Sequence, residues 1–342
     1  MTPTFSEILK NRISIAQAVA TPPPPQKFIV GHLPDEPGVY GLIIGPDGSR
    51  KSWLALHIAL SVACGRPVAQ GVDGSFLWPA PTPGRVVYLA SEDSQNVLSR
   101  RIWALSKLPG HEWVESAEES LDLIPTYSSL SILTVDSDRP IQTSEYNELV
   151  EYATGARLIV LDPLSDLLDI AESDDRAARG AVQILRDLSL RTGAGVLGIH
   201  HQNKVGMMNG ERHHQSGRGS SRFGAGCRWA VVLQPMPEEA ALHGIEKLKD
   251  WTGIHEGKAS YCDEAAGDLW FHRYVIDDGE GNILTSAPAS ALLPVREEST
   301  TTTLKTEDQK SKNKRKKKGM GEPDEHESAG GNNAYQDPFA DL

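Results

Sequence analysis

Cysteine is scarce in this chain. Cys64, Cys227 and Cys262 are the only three among 342 residues, and they lie far apart. With no Cys-x-x-Cys pair, they argue against a disulfide framework and against a structural zinc site. Each reads instead as a small core residue in a reduced compartment. Long apolar runs are also missing: none approaches the roughly 18–20 residues that a membrane span needs. Met1 to Glu7 lacks the charged-then-apolar layout of a signal peptide. A cytoplasmic protein without membrane contact is therefore expected. Positive charge is outweighed, 34 Lys and Arg against 46 Asp and Glu, for a net charge of −12. That balance opposes non-specific adhesion to DNA, so any nucleic-acid contact must be local. No internal repeat of solenoid period is present.

Against these absences stands the segment Gly45-Pro46-Asp47-Gly48-Ser49-Arg50-Lys51-Ser52. It follows the apolar run Val39 to Ile44 and precedes an apolar, helix-favouring stretch from Trp53 to Ala63. Strand, glycine-containing loop and helix in that order is the context of a phosphate-binding loop. Backbone N–H groups of the loop and the helix N-terminus would wrap a β-phosphate. Lys51 would reach the β- and γ-oxygens, and the Ser52 hydroxyl would sit on Mg²⁺. ATP with Mg²⁺ is the expected ligand, with Gly45 and Gly48 making the turn. The pattern departs at one position: Arg50 stands where glycine is usual. If that backbone needs a positive φ, a non-glycine residue there costs roughly 1–2 kcal/mol.

The rest of the chain alternates between strand and helix signals. Residues 5–20 (Phe5, Ile8, Leu9, Ile13, Ile15, Val19) read as a short amphipathic helix, and Pro22 to Pro25 forces an extended connector. Apolar runs predict strands at Val39–Ile44, Arg85–Ala90, Arg157–Leu161, Gly195–Ile199 and Arg228–Leu233. Helices are expected over about 52–64, 94–107, 142–154 and 175–192. Such alternation implies an α/β fold with a mostly parallel sheet covered on both faces. Leu269–Ile276 and Asn282–Ser286 flank a turn at 277–281 and read as a C-terminal antiparallel hairpin. Composition changes sharply near Glu297: a Thr-rich stretch, a basic run from Lys310 to Lys318 and an acidic Gly/Asn segment follow. The expected organisation is an N-terminal helix and Pro-rich connector (1–27), an ATPase domain (28–296) and a disordered charged tail (297–342).

Three further strand ends complete a nucleotide site. The strand from Arg157 ends in Asp162, a Walker B arrangement in which the carboxylate holds Mg²⁺ directly or through water. The run Val86 to Ala90 leads into Glu92 and Asp93, which compete for the role of orienting the attacking water; either also suits a helix cap. A third strand ends in His200 and His201, where a polar residue is placed to sense the γ-phosphate. Beyond it, residues 202–222 are long, glycine-rich and basic, and loops of this kind inside a domain are usually functional or disordered. Lys204, Arg212, Arg218 and Arg222 make a local positive patch suited to a nucleic-acid backbone. Arg228, between Cys227 and Trp229, needs a partner, and a phosphate on a neighbouring subunit is one candidate.

With these residues assembled, the chain resembles the RepA-type hexameric replicative helicases of plasmids and phages, within the RecA-like P-loop ATPases. The resemblance covers roughly residues 5–275. It rests on the order of the Pro22–Pro25 leader, the phosphate loop through Leu56, Val87 to Asp93, and Leu158 to Leu164. The later blocks are His200 to Lys204, Ser216 to Ser221 with Arg228-Trp229, and Lys258 to Tyr261. It implies a RecA-like sheet, a homo-hexameric ring on single-stranded DNA and ATP at subunit boundaries. In that frame Glu92 is the catalytic carboxylate, Arg228 an arginine finger acting on the neighbour's γ-phosphate, and His201 the sensor. Lys258 and Tyr261 match a family block in which Ser260 replaces asparagine, with no role assigned. The tail has no counterpart in the family core, and its Phe339 amid acidic residues is a candidate docking peptide for a replication partner. Two other readings fit the same residues: a RecA-like ATPase of recombination, repair or regulation without unwinding, and an ATP-binding module whose turnover Arg50 has suppressed.

Overall fold

The computed structural model describes residues 5–127, 130–136, 139–169, 175–202, 222–243, 245–263 and 268–293. The chain divides into two units, Met1–Met236 with Lys247–Leu292, and Pro237–Glu246 with Leu293–Leu342. The second is described chiefly by a 3-10 stretch, Glu238–His243. The tail and its Phe339, together with Lys204, Arg212 and Arg218, lie outside the described residues.

In chain order the strands are β1 Phe28–Val30, β2 Leu33–Pro34, β3 Tyr40–Gly45, β4 Val86–Ala90, β5 Leu121–Pro125, β6 Leu133–Asp136, β7 Arg139–Gln142, β8 Leu158–Asp162, β9 Gly195–His201, β10 Trp229–Pro235, β11 Trp251–Ala259, β12 Leu269–Asp277 and β13 Ile283–Ser290. The helices are α1 Phe5–Ile8, α2 Ile15–Ala20, α3 Lys51–Cys64, α4 Gln95–Ser106, α5 Ser144–Ala153, α6 Leu164–Leu167, α7 Asp175–Thr192 and α8 Arg222–Gly226.

Nine strands form one sheet in the order β13-β12-β11-β10-β3-β9-β8-β4-β5. From β10 to β5 all neighbours are parallel, and β11 to β13 extend the sheet antiparallel. Strand β3, which leads into the expected phosphate loop, is therefore central, and β8, which ends in Asp162, lies one strand away across β9. Parallel strands are buried on both faces, which is why they read as continuous apolar runs. On β3, Ile43 joins the core under α3 and α4, while Leu42 and Ile44 join the core under α5, α6, α7 and α8. Period-2 alternation of the side chains makes this division.

One expectation needs correction. Residues 5–20 form not one amphipathic helix but α1, a 3-10 turn at Leu9–Asn11, and α2. Ser14 caps α2 by accepting a hydrogen bond from the Gln17 N–H, and serine there favours a helix start over helix continuation. The expected C-terminal hairpin is present as β12 and β13, two strands of a three-stranded antiparallel extension whose third, β11, carries too many polar residues to register as an apolar run.

Helix α3 buries an unusual residue. His57 is wholly buried, its Nε2–H donating to the Pro288 carbonyl at 2.7 Å. Its ring meets His111 and Phe271 edge-on at 5.7 and 5.5 Å. Burial pushes its pKa down to about 3, and the neighbouring His111 adds to the effect. The unfolded chain then binds a proton below about pH 6.5 that the folded one refuses, so this contribution to stability is complete above that pH and is lost toward pH 3. A single such group changes stability by at most about 1.4 kcal/mol per pH unit. Urea unfolding at pH 7, 6 and 5 should show wild type losing stability relative to His57→Gln, which keeps an N–H donor but does not titrate; parallel curves would contradict this.

Candidate functional site

The loop between β3 and α3 is shaped by its backbone. Gly48 has φ +74° and Arg50 has φ +70°, so the position usually held by glycine does take the left-handed conformation in which L side chains are strained. A Cβ on Gly45 would lie 2.6 Å from Ser49 Oγ and 3.0 Å from the Leu233 carbonyl oxygen, so glycine is required there by close approach. Arg50 offsets its strain with tertiary bonds. Its guanidinium donates to the Thr252 hydroxyl and, at 2.8 Å, to the Lys249 carbonyl, at the entrance to β11. Burial lowers its pKa, and the Asp250 carboxylate opposes that shift. This side chain ties the phosphate loop to the antiparallel extension. Arg50→Ala keeps the strain and loses both bonds, whereas Arg50→Gly loses the bonds but relieves the strain. The alanine variant should therefore be less stable than the glycine variant by about 1 kcal/mol, read as a lower urea midpoint. Equal midpoints would mean that the backbone at 50 is not held left-handed.

A cavity of about 820 Å³ opens at this end of the sheet, lined by Asp47, Gly48, Arg50, Lys51, Ser52, Glu92, Asp162 and His201, with Trp53, Arg101, Ser165, Asp166 and Ile199. Lys51 and Ser52 start α3, Glu92 follows β4, Asp162 ends β8 and His201 ends β9, so parallel strands bring their carboxyl ends to one rim. Lys51 Nζ donates to the Pro46 carbonyl inside the loop at 2.8 Å. The Ser52 hydroxyl donates to Asp162 Oδ1 at 3.2 Å, and the Tyr88 hydroxyl to Asp162 Oδ2 at 2.5 Å. Asp162 is buried, and burial raises its pKa to about 6 against the lowering effect of those two hydrogen bonds. His201 Nδ1 lies 2.6 Å from Asp47 Oδ1, and its Nε2 lies 3.8 Å from Glu92 Oε1. The neighbouring His200 is buried against Phe223 with ring centroids 5.1 Å apart.

The two competing carboxylates are separated by their partners. Arg101 holds Asp93 in a two-pronged pair, the second contact at 3.0 Å, and Ser94 supplies the cap of α4 by accepting from the Val97 N–H. Glu92 is more than half exposed and faces the cavity. Arg101, Tyr88 and Trp53 were not singled out in the sequence. Arg101 also stacks over Trp53, 5.5 Å from the ring centroid, and only the fold brings α4 against α3.

Does the donor set fit Mg²⁺ and a triphosphate? A buried carboxylate beside a hydroxyl supplies hard oxygen ligands, and Mg²⁺ is usually held by one or two carboxylates plus phosphate oxygens rather than by an all-protein cage. Accordingly, no group of three or more metal-binding side chains exists among the described residues. In the loop itself the Ser49 hydroxyl is buried without a hydrogen-bond partner. The residues present fit the pair.

Arg228 is elsewhere. It precedes β10, its N–H donates to the Tyr40 carbonyl at the start of β3, and its guanidinium lies 6.0 Å from the Tyr261 ring centroid. Trp229 pairs with Gly41, so Arg228 sits about 13 Å or more along the strands from Gly45, at a rise of about 3.3 Å per residue. Arg222 opens α8, whose carbonyls are taken up one by one. The Tyr40 hydroxyl donates to Phe223 O, Lys258 Nζ to Gly224 O and Ala225 O, and Arg186 to Gly226 O. Lys258 and Tyr261, left without a role by the sequence, thus hold α8 and Arg228.

Several hundred solved chains resemble this one, among them the following three. One, an ATPase domain, shares 13% identity at a TM-score of 0.45, covering 68% of this chain and 81% of that one. The RadB recombinase shares 14% at 0.42, covering 69% and 87%. A DnaB-like replicative helicase, described with its interactions with primase, shares 12% at 0.45, covering 75% and 61%. Residues 3–207 match the family model AAA_25, described as an AAA domain. With its strand, glycine-containing loop and helix in phosphate-loop order and its sheet of parallel strands with an antiparallel extension, the chain belongs to this AAA-domain family and is a P-loop ATPase.

Proposed function

We propose that the protein is an ATP-driven motor on single-stranded DNA, a RepA-like replicative helicase working as a homo-hexameric ring. One observation carries this reading. Lys51, Ser52, Asp162, Glu92 and His201 share a cavity, while Arg228 stands at the other end of the strands and does not line it; in this reading its guanidinium acts on a neighbour's site.

In this reading Lys51 exchanges the Pro46 carbonyl for phosphate oxygens, and Ser52 and Asp162 hold Mg²⁺. The bound ion would neutralise charge on the phosphates. Glu92 orients the attacking water. His201, between Glu92 and Asp47, feels the phosphate state and passes it to the segment that leaves β9. That segment carries Lys204, Arg212 and Arg218 and ends at Arg222 on the anchored α8, which leads directly into Cys227-Arg228 and β10. Contacts with the DNA backbone there would be salt-sensitive.

The test is ATP turnover at low salt with and without single-stranded DNA, followed by strand displacement from a forked duplex. DNA should raise turnover several-fold, Lys51→Ala should abolish it, and the fork should be unwound. Turnover indifferent to DNA would favour a regulatory RecA-like ATPase. Bound ATP without turnover would favour a binding module.

A further inference from the structure

One strand joins the phosphate loop to Arg228. β11 runs from Trp251 to Ala259, and its entrance lies against the loop, where Arg50 donates to the Thr252 hydroxyl and to the Lys249 carbonyl. Both sides of this contact are fixed. Arg50 is the left-handed N-cap residue of α3, immediately before Lys51. Asp250, between the two acceptors in sequence, is itself held by Arg273 of β12 at 2.8 and 2.7 Å. Hydrogen bonds given by a guanidinium are charge-assisted, about twice as strong as neutral ones when the geometry is good.

The far end of the same strand surrounds Arg228. Thr252 and Lys258 are about 20 Å apart at the rise of an antiparallel strand. There Lys258 Nζ donates to the Gly224 and Ala225 carbonyls of α8 at 3.1 and 3.0 Å. The Ser260 N–H donates to the Arg228 carbonyl at 3.0 Å, and the Tyr261 ring lies beside the Arg228 guanidinium. The two halves of β11 are held differently. Trp251 to Ile254 pair with both β10 and β12, whereas among the described residues His255 to Ala259 pair with β10 alone. That second half contains a register shift, between Ala230 and Val231 of β10. Such an irregularity bends a strand and re-aims its side chains, and this one begins two residues from Arg228.

We infer that Arg50 is the positioning residue for Arg228 of its own chain: by tying the phosphate loop to β11, it sets where that guanidinium is presented to the neighbour. This rests on the proposed catalysis at subunit interfaces and deepens it, because the state of one subunit's loop then governs turnover at the next site. Nucleotide that draws Lys51 away from the Pro46 carbonyl reshapes the loop beside Arg50, and β11 carries the change to its bulged end. Hydrogen-bond networks and rigid secondary elements are the physical route for coupling over such a distance. The strained arginine thereby has a use that glycine at the same position could not serve.

The experiment compares mixed oligomers at saturating ATP, with light-scattering mass and circular dichroism as the controls for assembly and folding. In a mixture of Arg228→Ala and Glu92→Ala proteins, a working interface takes its site from the first and its arginine from the second. Arg50→Gly is then added to one partner or the other. Placed in the arginine donor, with Glu92→Ala, it should leave about tenfold or more less turnover than when placed in the site donor, with Arg228→Ala, since a misplacement of about 1 Å can cost 10²-fold. Thr252→Val, which removes an acceptor on β11 and leaves the loop sequence intact, should show the same asymmetry. A loss that follows the site donor would overturn the inference in favour of a direct role for Arg50 at its own nucleotide. Equal turnover in the two arrangements would overturn it by reducing the tether to a bond that only stabilises the fold. A parent mixture that regains no turnover, before any change at Arg50, would remove catalysis at subunit interfaces and the inference with it.

Discussion

Glu92→Ala should lower ATP turnover by about 10²–10⁴-fold, the usual weight of a positioned general base, without lowering thermal stability. The side chain is more than half exposed and lies 3.8 Å from His201, so its removal leaves no tight buried pair broken. Arg228→Ala should cost about 10³–10⁵-fold, the weight of an arginine finger. The decisive measurement combines them. A Glu92→Ala subunit still offers Arg228 to its neighbour, and an Arg228→Ala subunit still offers Glu92. Random mixing then leaves roughly a quarter of the interfaces with both groups, as a heterologous contact requires. Equal mixtures should regain turnover toward that fraction, while either protein alone stays inactive. Demonstrably mixed oligomers that remain inactive would remove catalysis at subunit interfaces.

Much of this site was legible in the sequence because its chemistry depends on local order. Strand, loop and helix around Lys51, and the apolar runs ending in Asp162 and His201, are contiguous signals, and the helix expected at 175–192 has those bounds in the structure. The edge strand β5 was not legible: Leu-Asp-Leu-Ile-Pro is short, half-buried throughout and ends in proline, which gives no buried-strand signature. Strand β11 was hidden for a different reason. It carries His255, Glu256 and Lys258, and the partners of Glu256 are remote: it accepts from the Trp229 indole at 2.6 Å and meets His32 at 2.8 Å. The same holds at the site. Arg50 is visible as an anomaly in the loop, but its tether to Thr252 spans about two hundred residues of chain. Tyr88 reads as one more apolar strand position until β4 is placed beside β8. Side chains whose meaning is tertiary leave no periodic trace.

Asp162→Asn should make the nucleotide-free protein more stable and the enzyme nearly inactive. The carboxyl is wholly buried and burial raises its pKa to about 6 from an ordinary 3.8. With the folded pKa above the unfolded one, the folded state holds the proton more tightly, so the penalty for ionising Asp162 is absent below about pH 4 and grows as pH rises through 6. A shift of about two units corresponds to at most about 3 kcal/mol at neutral pH. Asparagine retains an oxygen to accept from the Tyr88 hydroxyl, so the gain is not cancelled by a lost hydrogen bond. With chelator present and nucleotide absent, urea unfolding at pH 7.5 should favour Asp162→Asn by about 1 kcal/mol or more, and the two proteins should converge near pH 4. His57 contributes a slope of opposite sign but is common to both proteins and drops out of the comparison. Adding Mg²⁺ and ATP should reverse the order, because the neutral amide lacks the negative charge that the Asp162 carboxylate, beside the Ser52 hydroxyl, offers a divalent ion. A wild type that is the more stable at pH 7.5 without ligand would mean that Asp162 already has its counter-charge in the protein, most simply from Arg101 across the cavity. Destabilisation stored at this carboxylate and released on ligand binding is what a site selected for Mg²⁺ and nucleotide, rather than for stability, should display.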